Sequence, residues 1–211
     1  MKRLKPKRYT DEGREVPRGP LAKRKPNDDD MEAFDWEYAA VRKAGGYALK
    51  APWDPPWAGA NCHGFTFDRG GSQINEADVK NLIIPDNYDE VDCDEAHICD
   101  VVVYGYDDGT GPTDHSGLVV EIGKDGKPAR IVSKWGPTGG VFVHPPQTYL
   151  KDNNNNDWQV FRRNDDPEGL DKLRDAYKAA KKKYGASGKE AHLAAMELCQ
   201  KKNALAESFL I

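Results

Sequence analysis

The chain has 211 residues, with 31 Lys and Arg against 35 Asp and Glu, for a net charge of -4. That length predicts one domain with appendages, and so small a charge carries no electrostatic footprint for nucleic acid or an anionic membrane surface. Hydrophobic residues make up 38% of the chain, yet no run of about 18 apolar residues occurs, so no membrane span is expected.

Residues 1–30 read as a basic, weakly ordered N-terminal arm. The first 25 residues hold ten Lys or Arg against three acidic residues, with Pro6, Pro17 and Pro20. Apolar residues are too sparse there to form a core. A solvated tail or docking signal fits this arm better than a nucleic-acid contact. It lacks an apolar signal-peptide core, so synthesis in a cytoplasm is expected. Four cysteines in a chain this long predict free thiols rather than a disulfide framework.

The acidic run Asp28-Asp29-Asp30 suits a helix N-terminus, and a helix is predicted over 30–44. Phe34, Tyr38 and Val41 fall on one stripe, and Gly45-Gly46 ends it. A loop rich in Pro, Trp and Gly (51–59) then leads into Gly59-Ala60-Asn61-Cys62-His63-Gly64-Phe65-Thr66-Phe67. A cysteine where a loop becomes a helix lies near unpaired N–H groups and the positive end of the helix dipole, a setting that favours thiolate. The competing reading is a small buried cysteine.

Ile74 to Ile84 reads as a short helix or an irregular connection. The stretch Asp86 to Asp100 is strongly acidic and contains Cys93, His97 and Cys99. Their spacing is not that of a structural zinc site, and the alternating ligands of a calcium loop are missing. No metal or cofactor is therefore expected.

Strand signals follow at 100–104, 115–122, 129–135, 141–144 and 158–162, separated by Gly-rich turns. An α+β fold is predicted, with the cysteine helix packed on an antiparallel sheet of about five strands across 31–166. Residues 167–211 read as a helical hairpin: Leu170, Leu173, Tyr177 and Tyr184 face inward on its first helix, and the second runs from Lys189 to about Ser208.

A cysteine nucleophile needs a base and an oxyanion donor. His115 opens an apolar strand after a Gly/Pro-rich loop, at a sheet end where a cleft can form. His63, next to Cys62, diverges from it by about 100° on a helix. His97 lies in the acidic segment and His192 on the tail.

These segments resemble the NlpC/P60 cysteine peptidases. Asn61-Cys62-His63-Gly64 is similar to that family's Asp-Cys-Ser-Gly. Cys99-Asp100-Val101-Val102-Val103-Tyr104 is similar to its Gly-Asp-Leu-Val-Phe-Phe strand, and Asp114-His115-Ser116-Gly117-Leu118 to its His-Val-Gly-Ile-Tyr strand. The likeness spans about 53–163. Asn61 and His63 depart from the family's Asp and Ser. The resemblance implies a papain-like core related to CHAP amidases and acyl-transferring LRAT proteins, with Cys62 as nucleophile and His115 as base. The third catalytic position falls near Ser133. Lys134 cannot accept a hydrogen bond from an imidazole, whereas Ser133, His144 or a backbone carbonyl can. Asn61, Trp57 and Trp135 are the expected substrate-binding residues, although the tryptophans also suit a core.

The activity so implied is cleavage of amide bonds in peptidoglycan stem peptides. Without a signal peptide, such an enzyme fits delivery into a target cell's periplasm, as for a type VI secretion effector, with a secretion-apparatus or immunity protein as partner, or a phage lysis enzyme. The alternatives are a papain-like toxin or acyltransferase acting on protein or lipid, and a non-catalytic adaptor.

Overall fold

The computed structural model describes residues 7–22, 27–51, 59–106, 114–149, 158–164 and 188–208, with helical residues at 175, 178–179 and 182–183. Trp57 and the inward-facing positions expected at Leu170, Leu173, Tyr177 and Tyr184 lie outside the described residues.

The architecture is α+β, built on a large antiparallel sheet. The expected strands form as β5 (Val101–Tyr104), β6 (His115–Ile122), β7 (Pro128–Lys134), β8 (Val141–His144) and β9 (Trp158–Arg163). Two more extend the sheet to seven: β3 (Tyr47–Lys50) and β4 (Tyr88–Val91), giving the order β3-β8-β7-β6-β5-β9-β4. Both additions are edge strands of four residues. Tyr88-Asp89-Glu90-Val91 carries its two carboxylates on exposed positions, and such charge both blunts an edge and hides the apolar alternation.

The described part of the arm, residues 7–22, carries regular structure. Within it, β1 (Lys7–Tyr9) and β2 (Glu15–Val16) join β10 (Ala206–Ser208) in a three-stranded sheet. The missing apolar surface is replaced by ionic anchors. Buried Arg8 donates to Asp68 at 2.5 Å, Arg18 adds a second contact at 3.3 Å, and Arg14 pairs with Asp86. The tail helix ends at Asn203 rather than near Ser208, because the chain turns there to pair β10 with β1.

Helix α1 (Asp28–Lys43) starts at Asn27, whose side chain and that of Asp30 form a reciprocal cap. Phe34 and Tyr38 stack on Phe142 of β8 and Val41 is buried. Helix α2 (Cys62–Phe67) and the C-terminal helix (Lys189–Asn203) share the other face of the sheet. There Phe65, Phe67 and Met196 meet Val101, Val103, Leu118 and Val132 in the main core.

The free-thiol expectation fails for two cysteines. Cys99 and Cys199 form a disulfide across a separation of 100 residues, while Cys62 and Cys93 are free. Spacing alone does not identify such a pair. Within the acidic segment, buried Asp100 is an anchor: it accepts from Arg162 at 2.9 Å and from the His97 N–H at 2.7 Å.

Candidate active site

Cys62 is the first residue of α2, and Asn61 fixes it there. The Asn61 oxygen accepts the N–H groups of Gly64 (2.9 Å) and Ile74 (3.1 Å), while its amide donates to the Ile74 carbonyl (2.6 Å). An aspartate could cap the helix but could not make that donation. Gly64 is required one turn on, since a Cβ would lie 1.9 Å from the Ser72 carbonyl oxygen. Asn61 also lines a groove of about 590 Å³, with Arg18, Gly19, Gln73, Glu76 and Asp78.

The Cys62 side chain turns inward and the residue is 7% exposed. Burial pushes its thiol up to about 12, against the opposing pull of the Ser116, His63 and Cys62 backbone N–H groups. The thiolate expected from the helix terminus is therefore not the resting form, because desolvation of the charged sulfur outweighs those donors. The Ser116 N–H still places the thiol beside the residue that follows His115.

His115 opens β6, paired with Tyr104 of β5. Its ring stacks on Tyr149 at 3.6 Å and an interplanar angle of 11°, and Tyr104 leans against it at 5.5 Å. The Tyr104 hydroxyl donates to the Pro146 carbonyl at 2.7 Å and so steadies the turn Pro146–Tyr149. His115 Nε2 is buried with no hydrogen-bond partner among the described residues. Burial, with His144 and His63 nearby, holds its pKa well below the ordinary histidine range. No direct hydrogen bond joins Cys62 to His115 among the described residues. The pair rests as neutral thiol and neutral imidazole.

His63 diverges from the thiol as expected. Its Nδ1 meets the Ser116 hydroxyl at 2.9 Å, and Ser116 donates to Thr66 at 3.0 Å, stitching α2 to β6.

Ser133 does not serve His115. Its hydroxyl lies 2.8 Å from His144 Nε2 and accepts from Trp135 Nε1 at 3.1 Å. His144 Nδ1 donates to the Pro145 carbonyl at 2.8 Å, so Nε2 is the accepting nitrogen. Both candidates for the third position thus satisfy each other. Trp135 is a core residue, edge-on to Phe142, His144 and Tyr149, and does not line the groove. Lys134 is buried with its ammonium held by the carbonyls of Gly136, Pro137 and Gly139. Burial lowers its pKa to about 8, with Glu37 and Cys62 acting in the opposite direction.

Sequence reasoning missed Tyr149, the aromatic cover of His115, whose only signal is its place after the strand-ending Pro145-Pro146. It also missed the arm residues Arg18 and Gly19, which wall the groove beside Asn61. No protein-family model, no curated protein and no solved structure matches the chain.

Proposed function

We propose that the protein is a cysteine hydrolase that cleaves amide bonds in peptidoglycan stem peptides on a papain-like NlpC/P60 core. One observation carries this reading: a buried free thiol at the start of α2 meets the Ser116 N–H, while the adjacent His115 keeps an unpartnered Nε2. A buried imidazole nitrogen without a partner is costly and is the atom a proton-transfer step would use.

In this reading Cys62 Sγ attacks the amide carbonyl and His115 takes the thiol proton. The Cys62 N–H and a neighbouring donor hold the oxyanion. His115 then protonates the leaving amine, and water resolves the thioester. Because the resting pair is neutral, proton transfer accompanies attack instead of preceding it. The groove at Asn61 is the entry for the peptide. Delivery into a target periplasm is part of the proposal.

The second reading is a non-catalytic adaptor, favoured by the burial of Cys62 and His115. Intact sacculi incubated with wild type and Cys62→Ala separate the two. The hydrolase reading expects new peptide termini from the wild type alone, read by mass spectrometry. Unaltered sacculi, from protein whose Cys62 still reacts with a thiol probe, would refute the wall substrate and leave protein or lipid targets to be assayed.

A further inference from the structure

We propose that the Cys99–Cys199 disulfide is a maturation lock: the chain acquires its fixed form in an oxidising compartment, where closing this bond clamps the C-terminal helix onto α2 and β6. The consequence for Cys62 rests on the functional reading above; the lock itself does not.

Both sulfurs are buried. Cys99 immediately precedes Asp100 and β5, and its backbone is held from two sides. Its N–H donates to the Val119 carbonyl of β6 at 2.9 Å, and its carbonyl accepts from Asn203 at 2.9 Å. Its φ of 74° lies in the left-handed region. A residue with a side chain stays there only when its surroundings over-determine it, and the disulfide with these two hydrogen bonds supplies that constraint.

Cys199 sits on the helix that contacts the candidate site. Its neighbour Gln200 donates to the Phe65 carbonyl of α2 at 2.8 Å. Beyond the helix, the Leu205 N–H donates to the Phe67 carbonyl at 3.0 Å, and β10 pairs with β1. From β1, Arg8 returns to Asp68, the residue after α2. The same arm continues to Arg18 and Gly19 on the groove wall, and the Ala22 N–H donates to the Gly59 carbonyl at 3.0 Å. Helix, tail strand and arm thus form one connected cover, and the disulfide is its covalent fastening.

The chemistry balances with an external disulfide oxidant. The Cys99 thiolate attacks the oxidant RSSR, forming a mixed disulfide and releasing one thiol. The Cys199 thiolate displaces the second thiol. Two protein thiols lose two electrons, and RSSR becomes two RSH. Because both sulfurs are buried, exchange requires the helix to lift, so the redox state is set as the chain folds. Such bonds persist in periplasmic and extracellular surroundings and are rare in a reducing cytoplasm. Closing a loop of about 100 residues raises the folded-to-unfolded ratio by about three-thousandfold in the chain-entropy account.

The test uses the full chain, folded with oxidised glutathione or kept in a phosphine reductant, beside Cys99→Ala/Cys199→Ala. Alkylation under denaturing conditions should label two cysteines (Cys62 and Cys93) in the oxidised protein and four in the reduced one. Without the bond, trypsin should cut within 189–203 at least tenfold faster, and native Cys62 should alkylate at least tenfold faster. Four labelled cysteines after oxidative folding would overturn the proposal. So would identical trypsin and labelling rates with and without the bond. If the double variant fails to fold, reduced wild type makes the same comparison. No wall substrate enters this experiment, so its failure and that of the hydrolase reading are separately visible.

Discussion

Acidification should destabilise the protein through His144. Its Nδ1 donates to the Pro145 carbonyl, while Nε2 faces the Ser133 hydroxyl at 2.8 Å and Trp135 Nε1 at 3.3 Å. A second proton would sit on Nε2, where Trp135 already donates, inside a buried site. Burial accordingly lowers this pKa to about 4. The unfolded chain takes up that proton near pH ~6.5. A depressed folded-state pKa means stability present above the unfolded value and lost as pH falls toward the folded one, here from about 6.5 to about 4. A gap of about 2.5 units at about 1.4 kcal/mol each gives a loss of about 3 kcal/mol. For a domain of this size that lowers the melting temperature by about 6–12 °C. His115, also held low, acts in the same direction. Urea unfolding at closely spaced pH values, with His144→Asn beside wild type, reads this directly. The variant should lose much of the slope between pH 6.5 and 4. An unchanged slope in the variant, or a flat wild-type curve, would refute the assignment.

Three further outcomes follow from the same geometry. With its thiol near 12, Cys62 in a Cys93→Ala background should alkylate at pH 7 about three orders of magnitude slower than a model thiol of pKa ~8.5, rising without a plateau to pH 10; an inflection below pH 7 would show a thiolate–imidazolium pair instead. Asp68→Asn removes the carboxylate shared by Arg8, Arg18 and Ser72, and stability measured by chemical unfolding should fall by about 3–5 kcal/mol, with proteolysis of the arm accelerating; an unaffected arm would contradict its anchoring role. Ser133→Ala should cost about 1–2 kcal/mol while leaving turnover on sacculi within a fewfold of wild type, and a loss beyond a hundredfold would restore Ser133 to the catalytic set.

What the sequence disclosed follows from how local each signal is. Strands β5 to β8 are rich in β-branched residues and buried along most of their length, and the acidic run Asp28-Asp29-Asp30 with the stripe Phe34, Tyr38, Val41 marks α1 without help from distant residues. Strands β3 and β4 are four-residue edges whose sequence carries too few alternations. The arm looked solvated because its charges find partners far along the chain: Arg8 reaches Asp68 and Arg14 reaches Asp86. At the site, the positions of Cys62 and His115 were legible from the loop-to-helix and loop-to-strand changes. Their resting charge was not, since it depends on burial that the sheet and α2 create together. The Ser133–His144 contact was not legible, since it depends on β8 lying beside β7, where Ser133 pairs with Phe142 and His144 lies diagonally across, opposite Ile131.

In the proposed mechanism Cys62 carries the acyl group. The most direct test is intact-mass spectrometry of protein quenched in acid during turnover on soluble stem-peptide fragments, with Cys62→Ala and His115→Ala assayed for product in parallel. A mass gain equal to one acyl fragment, mapped to Cys62, is expected, with a loss of product formation in both variants. Product formed at an undiminished rate by Cys62→Ala, or an adduct mapped to another residue, would contradict the mechanism.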